Sequence, residues 1–321
     1  MVHHSEKSYF RGIAWFLTSL LVCETNDVIT KYLELSLSPL QVIFGRFFFS
    51  TLLLLPLMGR SVQSFKTQHL ASNLLRGFIL FLGMFIWCYG LEASQLSVAC
   101  LINFTTPLFT LLLAMIILKE KIGKSRFMAT LFGFLGVAVV LNPQTASFSV
   151  PAASLFLLSA VLFALLDILN KILVTKEGTL TSLFYTGIFT MLFSMIALMV
   201  PRFFNSNEPL SLFSEFAHRV TLLSPHHILL LALLGTGANL LLFCILKSFL
   251  YIDVSATAPF RYVELILASI FGYLFFDEAV APNTIAGALI IIPSVIYLLR
   301  CEAKINTNLA SNKIQTSTHC C

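Results

Sequence analysis

Long apolar runs broken by short polar clusters recur from one end of this chain to the other. Runs of about 18 to 22 apolar residues are long enough to cross the hydrocarbon core of a bilayer as helices. The pattern predicts ten spans, over residues 12–33, 40–58, 74–92, 98–118, 127–142, 152–174, 180–200, 227–250, 255–275 and 283–300. Turn and breaker residues mark the gaps: Ser38-Pro39, Asn142-Pro143, Pro151, Lys176-Glu177-Gly178, Pro201, Ser224-Pro225 and Ala281-Pro282. The run over 127–142 is the shortest. The first run is too long, and too interrupted by acids, for a cleaved leader, and it lacks an A-x-A site.

Composition agrees with the pattern. Of 321 residues, 58% are hydrophobic and only 11% are charged, against roughly 25% charged in a soluble domain. The positions of the bases then orient the spans. With the N-terminus in the cytoplasm, fifteen of the twenty Lys and Arg fall on the cytoplasmic side. Two, Arg202 and Arg219, fall opposite; Lys31, Arg46 and Arg261 lie within or at the ends of spans. By the positive-inside rule both termini are cytoplasmic. The net charge of +5 sits in short loops without an aromatic-interleaved basic patch, which argues against a nucleic-acid partner.

The chain also carries an internal repeat. Shifted by 140 residues, the first span meets the sixth with Phe16/Phe156, Leu17/Leu157, Ser19/Ser159, Asp27/Asp167, Lys31/Lys171 and Leu33/Leu173 identical. A second diagonal at 158 residues aligns Gly77 with Gly235, Ser97 with Ser255 and Glu120 with Glu278. The chain therefore reads as two five-helix units. Because five is odd, the second unit enters the bilayer from the opposite side, and inverted repeats of this kind are common in secondary transporters with a midplane site.

Charge inside the membrane costs about 2.5 to 3.5 kcal/mol per residue at the helix centre. In DVITK (27–31) and DILNK (167–171) an acid precedes a base by one turn, the favourable order for an i, i+4 pair. Asp27/Lys31 and Asp167/Lys171 thus read as self-neutralised pairs with a shared structural role, and Asn170 lies inside the second. Glu24 is different: its repeat partner is Ala164, and no base lies one turn before it. An unmatched mid-membrane carboxylate is a site hypothesis. The segment APFRYVELI (258–266) supplies Arg261 and Glu264 at i, i+3, with Tyr262 between, against Asn103 and Thr106 on the 158-residue diagonal. Arg261 and Glu264 form an internal ion pair, or Arg261 receives a substrate carboxylate while Glu264 faces a cation. Arg46 neutralises Glu24 or Asp27 across helices. Asn239 and Trp87 complete the candidates, Trp87 either packing at the interface or stacking on a flat ring.

No phosphate loop, HExxH or G-x-S-x-G motif occurs, and the seven His lie at or beyond the span ends, so neither ATP hydrolysis nor a membrane enzyme is supported. The seven Cys contain no CxxC pair, and most lie in spans. They read as small apolar residues, with no disulfide framework, metal or cofactor expected.

Two five-helix halves with an acid just beyond the fourth helix of each, LKEKI (118–122) and FFDEAV (275–280), resemble the EamA domains of the drug/metabolite transporter superfamily. GIAWFLTSLLVCETNDVITKYL (12–33), FGRFFFSTLLLLP (44–56), LLRGFILFLGMFIWCYGL (74–91), ALLDILNK (164–171) and ATAPFRYVEL (256–265) further resemble the S-adenosylmethionine uptake transporters of intracellular bacteria. The resemblance implies an all-α integral membrane protein: a cytoplasmic N-terminus over 1–11, EamA repeats of five helices each over 12–142 and 152–300, and a cytoplasmic tail over 301–321. It implies a multi-pass carrier of the bacterial inner membrane importing S-adenosylmethionine, in exchange for S-adenosylhomocysteine, by alternating access. The other reading is an EamA-type proton-coupled exporter of an amino acid or small metabolite, with Glu24 carrying the proton. Beyond the lipid bilayer the expected partners are these small molecules, with a homodimer suggested only by Gly133 and Gly136 on the fifth span.

Overall fold

The computed structural model describes residues 6–59, 67–92, 102–141, 150–204, 224–276 and 282–318, and every described element is a helix. In chain order these are α1 (Glu6–Glu34), α2 (Pro39–Gly59), α3 (Leu70–Glu92), α4 (Thr106–Ile117), α5 (Lys124–Leu141), α6 (Val150–Glu177), α7 (Thr179–Phe204), α8 (Pro225–Tyr251), α9 (Val254–Thr257), a 3₁₀ turn η1 (Ala258–Tyr262), α10 (Val263–Phe276) and α11 (Pro282–Thr318).

Seven stretches among the described residues are long and apolar enough to cross a membrane: Tyr9–Leu33, Pro39–Gly59, Leu70–Trp87, Ala153–Glu177, Thr179–Met199, Pro225–Tyr251 and Val254–Phe275. Thr106–Ile117 and Ile285–Cys301 are shorter apolar helices. The expected span over 98–118 lies partly outside the described residues, and α5 carries Lys124 and Arg126 in its first turn, which lowers its apolar content. Leu52, Leu55, Ile116, Ile196, Leu274 and Leu289 are among many large apolar side chains exposed on the perimeter, as expected where the surrounding solvent is lipid. The chain is a multi-pass membrane protein.

The helix over the expected span 255–275 is irregular, although Val254–Phe275 as a whole is long and apolar enough to cross a membrane. Pro259 has no N–H to give and its ring crowds the preceding turn, so the chain passes from α9 through η1 before α10 begins. A turn at Phe104–Thr105 interrupts the helix before α4 in the corresponding place.

Helix packing repeats itself with the partners exchanged. α1 packs on α8 as α3 packs on α6, α2 on α8 as α3 on α7, and α1 on α10 as α4 on α6, while α2–α7 and α5–α11 pair with each other. Lipid tails supply no hydrophobic drive between apolar helices, so close approach at small residues matters more than it does in water. A Cβ added at Gly77 would lie 2.5 Å from Phe189 Cβ and 3.2 Å from Thr190 N; one added at Gly235 would lie 2.8 Å from Phe49 Cβ and 2.7 Å from Ser50 N. Phe49/Phe189 and Ser50/Thr190 are themselves 140 residues apart, so both crossings are pinned by equivalent atoms. Gly133 and Gly136 meet the Tyr262 ring and the Gly287 carbonyl respectively. The glycines expected to suit a homodimer are thus occupied by internal packing.

Candidate functional site

Pro259 leaves a 3₁₀ turn inside the bundle, with the backbone still right-handed helical at Thr257, Ala258 and Val263. Arg261 stands in the last turn of η1 and Glu264 in the first turn of α10. Irregular backbone at this depth is tolerated where it lines a cavity or is enclosed by protein. From here Arg261 and Glu264 face two different neighbourhoods.

Arg261 turns toward α6. Its Nη2 donates to Asp167 Oδ2 at 2.5 Å, and Thr110 Oγ1 of α4 reaches the same oxygen at 3.5 Å. Asp167 is only 4% exposed. Lys171, expected to neutralise Asp167 from one turn away, instead donates Nζ to the carbonyls of Phe249 and Ile252, the latter at 2.8 Å. Both carbonyls belong to the end of α8, where no intrahelical donor remains, and a cation there also suits the dipole. The bends around residues 252–255 gather two more partners: Glu120 accepts from Val254 N–H and Ser255 N–H at 3.1 and 3.0 Å. Arg126 donates to Asp253 Oδ2 at 3.1 Å and Ser255 Oγ at 2.8 Å. The internal Asp167/Lys171 pair and the internal Arg261/Glu264 pair are therefore both replaced by contacts between helices. Sequence offsets of three and four find only partners on the same helix.

Glu264 turns toward α1. Cys23 donates its thiol to Glu264 Oε1 at 3.7 Å and lies 3.9 Å from Asp27 Oδ2. Asp27 is exposed, while Glu24 is 5% exposed and lies in the electrostatic field of Glu264 and Asp27. Among the described residues Glu24 has no hydrogen-bond or ion-pair partner. Arg46 of α2 lies in the field of Asp27 and Cys23, and its Nε is buried without a partner. This corner gathers three carboxylates, one thiol and one guanidinium, an arrangement suited to a ligand with more cationic than anionic groups.

The EamA-like transporter family model matches the chain twice, over residues 10–142 and 150–300. The chain belongs to the EamA-like transporter family. The S-adenosylmethionine uptake transporter of Rickettsia prowazekii (strain Madrid E) is 39% identical to it over 93% of this chain and 95% of the relative. That of Rickettsia bellii (strain RML369-C) is 40% identical over 93% and 96%. The riboflavin transporter of Vibrio cholerae serotype O1 (strain ATCC 39315 / El Tor Inaba N16961) is 26% identical over 92% and 94%. A solved structure titled only "Crystal structure of protein" superposes with a TM-score of 0.73 at 15% identity, covering 91% of this chain and 96% of its own, a likeness of fold. The named relatives are transporters rather than enzymes.

In this EamA protein the remaining predicted site residues scatter. Tyr262 is fully buried beside Gly133 and Phe104, with its hydroxyl unpartnered among the described residues. Asn239 bridges α8 to α2, accepting from Ser50 Oγ at 2.6 Å and donating to the Ser50 carbonyl at 2.9 Å. Trp87 stacks edge-on against Phe156 at 5.3 Å. Asn103 offers its carbonyl to Thr106 Oγ1 at 2.6 Å, and Asn170, 2% exposed, has a buried Oδ1 without a partner. Two apolar clefts, of about 580 Å³ beside Leu108, Met115 and Phe127 and about 390 Å³ beside Phe132, Leu289 and Tyr297, lie on α4, α5 and α11 away from these charges. The charged corner was half legible from the sequence: Glu24, Asp27, Arg46 and Glu264 are brought together. Cys23 was missed, because a single intramembrane Cys has no spacing signal.

Proposed function

We propose that this protein is a secondary carrier that imports S-adenosylmethionine across the bacterial inner membrane, in exchange for S-adenosylhomocysteine, by alternating access. The observation that carries this reading is the likeness to uptake transporters of that name along almost the whole chain. The charged corner supports it. S-adenosylmethionine carries a sulfonium, an ammonium and a carboxylate, about one net positive charge at neutral pH. Glu24, Asp27 and Glu264 take the cationic groups. Arg46, whose Nε is unpartnered, takes the carboxylate, since Arg261 is held by Asp167.

The architecture proposed with this function is ten membrane helices as two inverted five-helix repeats, 12–142 and 152–300, with both termini cytoplasmic. The exchanged helix pairs and the matched crossings at Gly77 and Gly235 support it. The Asp167 corner then lies in the cytoplasmic half and the Asp27 corner in the periplasmic half.

The deciding experiment is uptake of radiolabelled S-adenosylmethionine by cells expressing the protein, with S-adenosylhomocysteine added outside. Uptake above vector control, competed by S-adenosylhomocysteine and accelerated by internal S-adenosylhomocysteine in vesicles, is expected. No uptake by cells in which membrane insertion has been verified would sink the reading.

A further inference from the structure

Cys23 is absorbed by none of the roles above, yet it lies at the centre of the charged corner. Its Sγ is 3.7 Å from Glu264 Oε1 and 3.9 Å from Asp27 Oδ2, and one ligand atom from each residue lies within 4.8 Å of the other two. A tetrahedral zinc ion holds a thiolate at about 2.3 Å and a carboxylate oxygen at about 2.0 Å, which sets sulfur and oxygen ligands about 3.5 Å apart. Both sulfur–oxygen separations are within a few tenths of an ångström of that edge without backbone movement. Three protein ligands with an open fourth position are the usual arrangement of an accessible zinc site.

A second observation points to a ligand independently of these three. Glu24 is 5% exposed and makes no hydrogen bond with any described residue, while lying in the field of Asp27 and Glu264. A buried carboxylate left without a partner is costly unless a cation comes to it. The charges also suit a divalent ion: a thiolate and two carboxylates bring three negative charges, and Arg46 stands by with one positive. A thiolate ligand selects against magnesium and calcium, which take oxygen shells, and favours the zinc class. The exposure of Asp27 supplies the path of entry.

We propose that Cys23, Asp27 and Glu264 hold one thiophilic divalent cation of the zinc class, beside the buried Glu24 carboxylate. This proposal departs from the expectation of no metal site that the isolated cysteines gave. The same carboxylates are assigned above to the cationic groups of the substrate, so the bound metal blocks uptake. That consequence rests on the proposed function, whereas the binding itself does not.

The test uses the purified full-length chain with Cys320 and Cys321 replaced by Ser, so that the vicinal tail thiols bind nothing. Titration with zinc chloride in a calorimeter is expected to give one ion per chain. Cys23→Ser weakens the affinity by roughly 100-fold, and Cys301→Ser leaves it unchanged. Zinc is also expected to slow alkylation of Cys23 by a maleimide at least tenfold, read by mass spectrometry in a chain whose site is intact. Absence of one-to-one binding, alkylation of Cys23 indifferent to zinc, or affinity indifferent to Cys23→Ser each overturns the site. In the uptake assay, zinc that binds and protects Cys23 without slowing uptake leaves the metal site standing and removes these carboxylates from substrate binding. A chain that binds zinc but imports no S-adenosylmethionine in its absence refutes the function and not the metal site.

Discussion

Asp27 and Asp167 occupy equivalent places 140 residues apart, each one turn before a lysine, and their surroundings have diverged completely. Asp167 is 4% exposed, clamped by Arg261 and approached by Thr110. Asp27 is exposed, beside a thiol and two further carboxylates. One difference between the halves is the position of Arg261, held by Asn103 on the 158-residue diagonal. Where the cation is present the carboxylate is consumed by structure. In the other half the corresponding position is an amide, and Asp27 lies beside Cys23 in the field of two further carboxylates. Duplication supplies two copies of one corner, and the duplicated aspartates have acquired different neighbours in the two copies.

The largest effect is expected from removing Arg261. Arg261→Leu leaves Asp167 buried without its cation, and uncompensated buried charge costs about 3–5 kcal/mol. The variant should lose most folded protein, read as the monodisperse peak and thermal transition in detergent. The double variant with Asp167→Leu should recover much of it, because replacing a buried pair with apolar groups of similar size is often neutral. Asp27→Asn should leave the thermal transition nearly unmoved and abolish uptake of S-adenosylmethionine. Equal destabilisation by Arg261→Leu and Asp27→Asn would end the contrast between the corners.

The complementary experiment adds a guanidinium to the other half. Asn103→Arg gives the Asp27 corner the cation that Asp167 has. Folding should be retained, and uptake should fall at least tenfold because the added guanidinium competes for the carboxylates that face the substrate. Transport at the unmodified rate would show that the corner's openness does not depend on the residue at position 103.

The backbone frame, in contrast to the side chains, should respond symmetrically. An added Cβ at Gly77 or Gly235 would press on a backbone nitrogen and a Cβ of the crossing helix, atoms that no rotamer change removes. Gly77→Ala and Gly235→Ala are each expected to cost about 1–3 kcal/mol, lowering the thermal midpoint by similar amounts. A large effect at one and none at the other would contradict the equivalence of the two crossings.

What the sequence made legible follows the range of the interactions involved. Hydropathy runs located the helices, and identical charges at matched offsets located the equivalent corners, since both are local or periodic signals. The irregular turn at Pro259 was written in the sequence, yet the apolar run across it masked it. Partner choice was not legible. Arg261 pairs with Asp167, 94 residues away, while Glu264, three residues from it in sequence, meets Cys23 of α1. Tyr262 and Asn239 looked like site residues because polar groups are rare in such a chain. In the fold Tyr262 is buried beside Gly133 and Asn239 makes a two-point bond to Ser50.

The smallest expected effect separates the two lysines. Lys171 donates to the carbonyls of Phe249 and Ile252, groups at the end of α8 that otherwise lack donors. A hydrogen bond from a charged group contributes about 1.5–3 kcal/mol, but here Glu120 and Arg126 also secure the following turn and share the load. Lys171→Met, which keeps the apolar stem, is therefore expected to cost about 1–2 kcal/mol, seen as a modest drop in thermal midpoint with uptake still measurable. Lys31→Met removes a base that is exposed, and exposed charges contribute about 0–1 kcal/mol, so its midpoint should move less than that of Lys171→Met. Equal shifts would mean that the lysines do the same job in both halves, and that divergence between the corners is confined to the position shared by Asn103 and Arg261.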